Sequence, residues 1–122
     1  RTIGLLGLAF KPFTDDLRDA PALDIGRRLA DRGARVRAHD PVALDRARRE
    51  YGSLPFCFTD SLQVLATDAD ALVLVTEWPE YRSIGWGQLA AVMRTPILLD
   101  GRNYLERSRL EAAGFRYLGM GR

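Results

Sequence analysis

Residues 7–21 read GLAFKPFTDDLRDAP, and the fold is decided by how this stretch is read. It leaves an apolar run at residues 3–8, IGLLGL, and ends where an amphipathic helical pattern starts after Pro21. The run reads as a strand, so the stretch is a strand-to-helix connection, longer than the usual two to six or so residues. Packed into it are the chain's only lysine, an aspartate pair and an arginine. In open α/β sheets ligands gather at the carboxyl ends of strands, so a charged connection leaving a buried strand is the first place to look for a site.

Lys11 stands out by composition. Of the eighteen basic residues seventeen are arginine. A generic positive charge in this chain is therefore an arginine, and the exception points to a need for a compact ammonium that can reach a phosphate or sugar oxygen. A solvated surface lysine is the plainer alternative. Phe10 precedes Lys11, and Asp15, Asp16 and Arg18 follow. The aspartates read either as an acid–base pair or, with Thr14, as capping for the coming helix. Adjacent carboxylates seldom address one atom, which favours capping. Arg18 is open to pairing with either aspartate or with an anionic ligand.

Outward from that stretch the chain alternates strand and helix. The first strand is expected over residues 2–8 and its helix over residues 22–32, closed by Gly33. Further strands are expected at residues 35–39, 55–58, 71–76, 96–99 and 115–118, with helices at 41–51, 61–66, 86–93 and 105–113. Residues 71–75, ALVLV, form a second fully apolar run and belong beside the first strand. The fold class is therefore α/β: a three-layer, Rossmann-like domain with a mostly parallel sheet of five or six strands, ordered 3-2-1-4-5-6. Its order reverses between the first and fourth strands. The carboxyl ends of strands one, four and five converge there, carrying Lys11, Thr76 with Glu77, and Asp100 with Arg102.

Composition limits the functional classes. A chain of 122 residues with 47% hydrophobic and 28% charged residues is one ordinary globular domain. Its net charge of +2 implies neither nucleic-acid nor membrane binding. The arginine-rich segment 27–49 is diluted by aspartates and reads as a solvated helix surface. One cysteine allows no internal disulfide and suits a reducing compartment, the cytoplasm. Cys57 sits between Phe56 and Phe58 in an expected strand and reads as a buried structural thiol, not a nucleophile. His39, the only histidine, has no second ligand nearby, so no metal site is expected. Trp78 and Tyr81 either line a base pocket or cover the core. Gly4 and Gly7 complete neither GxGxxG nor a phosphate-binding loop, and are expected to admit close helix packing. Arg102, after a glycine at a strand end, could meet a diphosphate or pair with Asp100. No catalytic set is complete. The residues amount to a donor-rich crevice fit for a phosphorylated ligand.

Four motifs in order, GLAFKPFTDDLRDAPAL, LVLVTEWPEY, LLDGRNYL and GFRYLGMGR, resemble the C-terminal domain of the UDP-glucose/GDP-mannose dehydrogenases over essentially the whole chain. The resemblance implies a UDP-sugar-binding domain, residues 1–122, belonging to a longer enzyme. Such enzymes oxidise the sugar C6 alcohol to a carboxylate in two NAD-dependent steps, through a thiohemiacetal and a thioester on a catalytic cysteine. It further implies that Phe10, Lys11 and Arg102 contact the substrate, and that Arg18 reaches toward the NAD side of an interdomain cleft. NAD would be held mainly by an N-terminal domain, and a central helical region would make the enzyme a homodimer. The cysteine motif and the dinucleotide fingerprint are absent here, so this chain by itself is expected to be inactive. TDDLRDAP replaces the commoner TDDLRESP, a change at the helix entry that puts local capping in question. TEWPEY and DGRN favour a UDP-glucose 6-dehydrogenase. A GDP-mannose or UDP-N-acetylhexosamine dehydrogenase, and a non-catalytic nucleotide-binding or assembly module, remain alternatives at this point.

Overall fold

Leu5 and Leu6 have no solvent exposure, and neither do Leu72, Leu74 and Leu98. Burial so complete is what a strand covered on both faces requires, and each such side chain stabilises the fold by about 1.5–3 kcal/mol. The computed structural model describes residues 1–120. Its strands are β1 (Thr2–Leu6), β2 (Arg35–His39), β3 (Phe56–Phe58), β4 (Ala71–Leu74), β5 (Ile97–Asp100) and β6 (Arg116–Gly119). They form one sheet in the order β3-β2-β1-β4-β5-β6, every neighbouring pair parallel. This is the expected 3-2-1-4-5-6 order.

The helices are α1 (Pro21–Asp31), α2 (Leu44–Tyr51), α3 (Leu62–Ala66), α4 (Trp86–Val92) and α5 (Arg107–Ala112). Right-handed crossovers put α1 and α2 on one face and the other three on the opposite face, making three layers. Pro21 opens α1, and Ala22, Leu23 and Gly26 turn inward. A side chain at Gly26 would run into the Phe56 ring, so the glycine lets α1 lie close against β3. Gly4 is likewise tight against Leu65 of α3, as helix packing requires, whereas Gly7 faces Thr76 and no helix.

Several boundaries differ from expectation. β1 stops at Leu6 and β4 at Leu74, and α2 and α5 begin at Leu44 and Arg107. Beyond β1 and before α2 and α5 the amides of Leu8, Val42, Ala43 and Leu105 are taken by aspartate side chains instead of a ladder or helix, whereas beyond β4 the amides of Val75 and Thr76 both turn onto the Leu6 carbonyl. A 3-10 turn at Pro79–Ser83 follows β4. Cys57 is exposed, not buried. Phe56 and Phe58 point inward, with Phe56 over α1, so the residue between them faces the other side of an edge strand. There α3 packs over β1 and β2, leaving that side of β3 open. No helix among the described residues is long and apolar enough to cross a membrane.

Candidate functional site

The connection after β1 is held from beneath by Asp40, at the carboxyl end of β2 and only 2% exposed. One carboxylate oxygen accepts the backbone N–H groups of Leu8 (2.8 Å) and Ala9 (3.0 Å) and the indole N–H of Trp78 (3.1 Å). The other accepts from Val42 and Ala43, both at 2.8 Å. A buried charge persists where donors surround it, and here five converge. Thr76, nearly unexposed, donates its hydroxyl to the Ala9 carbonyl at 2.8 Å. Gly7 makes this approach possible. Its φ is +100°, and a Cβ there would lie 2.4 Å from that of Thr76. Gly7 thus serves the junction of β1 with the loop after β4, not helix packing.

Phe10 and Lys11 project from this clamped base. Phe10 is 55% exposed while its backbone N–H donates to the Asp16 carbonyl at 2.8 Å, closing the loop on itself. Lys11 is exposed, and its ammonium has no partner among the described residues. Phe13 adopts φ +67°, unusual for a bulky side chain, and stands edge-on to Trp78 with ring centroids 5.7 Å apart.

The aspartates do not form an acid–base pair. Asp15 meets Arg46 of α2 at 2.9 Å, and Asp16 takes Arg18 through Nε (3.1 Å) and Nη2 (3.0 Å). Arg18 hydrogen bonding holds the Asp16 carboxyl at about 2, below the ordinary 3.8. Nor do these residues cap α1. Thr14 accepts from the Asp16 amide, and the N-cap position is Ala20, whose side chain makes no capping bond. Arg18 is therefore on the protein's outer surface, side-chain exposure 88%, oriented by Asp16.

At the end of β5 the Asp100–Arg102 ion pair, one of the two readings open for Arg102, is not made. Asp100 is fully buried and its carboxylate accepts from the amides of Arg102, Tyr104 and Leu105 and from the Tyr117 hydroxyl, at 2.7–3.0 Å. That leaves the Arg102 side chain to Glu77, after β4, with Nε 2.8 Å and Nη2 3.5 Å from the two carboxylate oxygens. Trp78 and Tyr81 are core cover, 2% and 1% exposed, so neither lines a base pocket. The Tyr81 hydroxyl oxygen lies 2.9 Å from Nδ1 of His39. Burial pushes the His39 pKa down and that of Tyr81 well up, which keeps both neutral. Among the described residues no group of three or more His, Cys, Asp or Glu side chains could hold a metal ion.

The carboxyl edge of the sheet thus brings together Phe10 and Lys11 after β1, Glu77 after β4 and Arg102 after β5, on either side of the order reversal. Of the two acids that position them, Asp40 escaped the sequence reading, and Asp100 entered it only as a possible partner of Arg102, not as an acceptor for turn amides. Both end a strand and precede Pro or Gly, the one available sign of an acid aimed at turn amides. The first turn does not fit a dinucleotide. The Leu8 and Ala9 amides, which would face a pyrophosphate there, are already bound to the Asp40 carboxylate.

Residues 4–107 match the UDP-glucose/GDP-mannose dehydrogenase family, UDP binding domain. The whole chain is 47% identical to a stretch of UDP-glucose 6-dehydrogenase from Pseudomonas aeruginosa, covering 28% of that protein. It is 43% identical, over 98% of its length, to 27% of the Rhizobium meliloti UDP-glucose 6-dehydrogenase. Among solved structures it superposes on a UDP-glucose dehydrogenase from Pyrobaculum islandicum with TM-score 0.78 and 33% identity, covering 98% of this chain and 25% of that one. A UDP-D-ManNAc dehydrogenase from Pyrococcus horikoshii gives 0.76 at 33% identity, covering 99% and 25%. The chain therefore spans little more than a quarter of the relatives it matches.

Proposed function

Since the chain belongs to the UDP-glucose/GDP-mannose dehydrogenase family, as its UDP-binding domain, we propose that it holds the nucleotide sugar for an NAD-dependent UDP-glucose 6-dehydrogenase. The observation that carries this reading is the pairing of two cations at the carboxyl edge: Lys11, without a partner among the described residues, and Arg102, with only part of its guanidinium engaged there. A diphosphate needs such donors, and a loop fixed by Asp40 and Thr76 supplies them without large ordering cost.

In this reading Arg102 holds the diphosphate, Lys11 reaches a phosphate or sugar oxygen, and Phe10 covers the ligand's apolar face. Arg18, outside that edge, faces the cofactor side of the cleft. NAD supplies the hydride acceptor and is bound mainly by an N-terminal domain, in keeping with the occupied amides of the first turn. This chain contributes binding, orientation and exclusion of water from one side of the sugar. Its single cysteine lies on edge strand β3, two strands from β1 and its loop, and in this reading the domain alone turns over no substrate. The parent enzyme works in the cytoplasm as a homodimer joined through its central region.

The test is Lys11→Ala and Arg102→Ala in the full-length enzyme. Losing one charge-assisted contact of about 1.5–3 kcal/mol raises KM for UDP-glucose about tenfold or more, with the fold unchanged. Unaltered KM in both variants contradicts the reading. The equal identity to a UDP-D-ManNAc dehydrogenase favours one other substrate, a UDP-N-acetylhexosamine, and comparing turnover of the two nucleotide sugars decides between them.

A further inference from the structure

The contact between Glu77 and Arg102 is built more firmly than a surface ion pair needs. Glu77 lies between Thr76 and Trp78, which are 1% and 2% exposed, and the Trp78 amide donates to the Thr76 carbonyl at 2.9 Å. Its carboxylate is therefore presented from a fixed turn. The Arg102 backbone is equally fixed, with its amide on Asp100. Next to it Asn103, at φ +52°, exchanges two 2.7 Å hydrogen bonds with the backbone of Met120. Between these two supports only the Arg102 side chain is free to choose a direction. Glu77 takes its Nε and Nη2 edge. What remains is both hydrogens of Nη1 and one of Nη2, the end-on edge that suits a pair of phosphate oxygens.

Resting on the assignment of Arg102 to the diphosphate, we propose that Glu77 is a positioning residue, which clamps one edge of the Arg102 guanidinium so that the other meets the diphosphate of the nucleotide sugar. The arrangement sets two physical effects against each other. A carboxylate beside the site repels a diphosphate, whereas an arginine already immobilised loses less side-chain freedom on binding. The two effects move KM in opposite directions. With Glu77 half-buried on a rigid turn and Arg102 half-exposed, orientation prevails, because solvent and salt screen the exposed charges while the clamp acts through direct contact.

The experiment compares Glu77→Ala, Glu77→Gln, Arg102→Ala and the Glu77→Ala/Arg102→Ala double variant in the full-length dehydrogenase, measuring kcat and KM for UDP-glucose and KM for NAD. Glu77→Ala is expected to raise KM for UDP-glucose about tenfold, with kcat within about twofold and KM for NAD unmoved. Glu77→Gln keeps an acceptor for Nε–H and should raise it only about threefold. In the Arg102→Ala background the Glu77 substitution should add nothing. A lowered or unchanged KM in Glu77→Ala, with Arg102→Ala impaired, overturns the positioning role and leaves the assignment of Arg102 standing. If Arg102→Ala is itself neutral, that assignment fails and this inference fails with it.

Discussion

Replacing Asp40 by alanine should be the most damaging single change in the loop that carries Lys11. The carboxylate accepts from five donors, and those of Leu8, Ala9, Ala43 and Trp78 are buried. A buried donor left without an acceptor costs about 1–3 kcal/mol, partly offset because a buried charge goes too, so the net loss should be about 4 kcal/mol. A domain of this length has a total stability of about 6–18 kcal/mol, so Asp40→Ala should fold with a much lowered denaturation midpoint. Asp40→Asn should lose about 2–3 kcal/mol, since either orientation of the amide turns an NH2 toward two or more N–H groups. Urea unfolding of this domain, followed by tryptophan fluorescence, measures both. Hydrogen exchange at the Leu8 and Ala9 amides adds a local readout, which should quicken before global unfolding. If Asp40→Ala loses less than about 1 kcal/mol, the carboxylate is not what holds the loop.

Other substitutions probe separate parts of the account. Gly7→Ala combines strain at φ +100° with a contact 2.4 Å from the Thr76 Cβ, and should lower stability by about 3 kcal/mol in the same assay. His39 has a pKa lowered mainly by burial, so below its ordinary 6.5 the unfolded chain binds a proton that the folded chain refuses. Stability should therefore be full above pH 6.5 and decline as the pH falls toward the folded pKa. His39→Gln should flatten that slope between pH 7 and 5, and an unchanged slope counts against it. Cys57→Ser, at an exposed position, should leave stability within about 0.5 kcal/mol and full-length activity intact, while loss of turnover in a folded variant would assign the thiol a role.

What the sequence disclosed follows from how local each feature is. The apolar runs that became β1 and β4 and the amphipathic α1 are local patterns, and with the crossover rule they suffice for the sheet order. Lys11 stood out by its rarity, and the structure leaves it exposed on the connection after β1. The Asp40 clamp was not, because its partners Leu8 and Ala9 lie 32 and 31 residues away and nothing adjacent marks the acid as buried. The partner of Arg102 was hidden likewise: Asp100, the one weighed for it, is near in sequence, but Glu77, 25 residues off, meets it in space. Cys57 misled because flanking phenylalanines suggest burial, whereas alternation along an edge strand turns the middle residue outward. The last two residues of the fourth motif, Gly121 and Arg122, lie outside the described residues.

The central claim, that this domain holds a UDP-sugar at its carboxyl edge, is tested most directly by titrating the isotope-labelled domain with UDP-glucose, GDP-mannose and NAD in turn. Backbone amide shifts report binding even at a millimolar Kd, about 4 kcal/mol. The account predicts saturable shifts with UDP-glucose at Phe10, Lys11, Glu77 and Arg102, and weaker or no response there to NAD. Shifts confined to other surfaces, or an NAD response at the Leu8 and Ala9 amides, would contradict it.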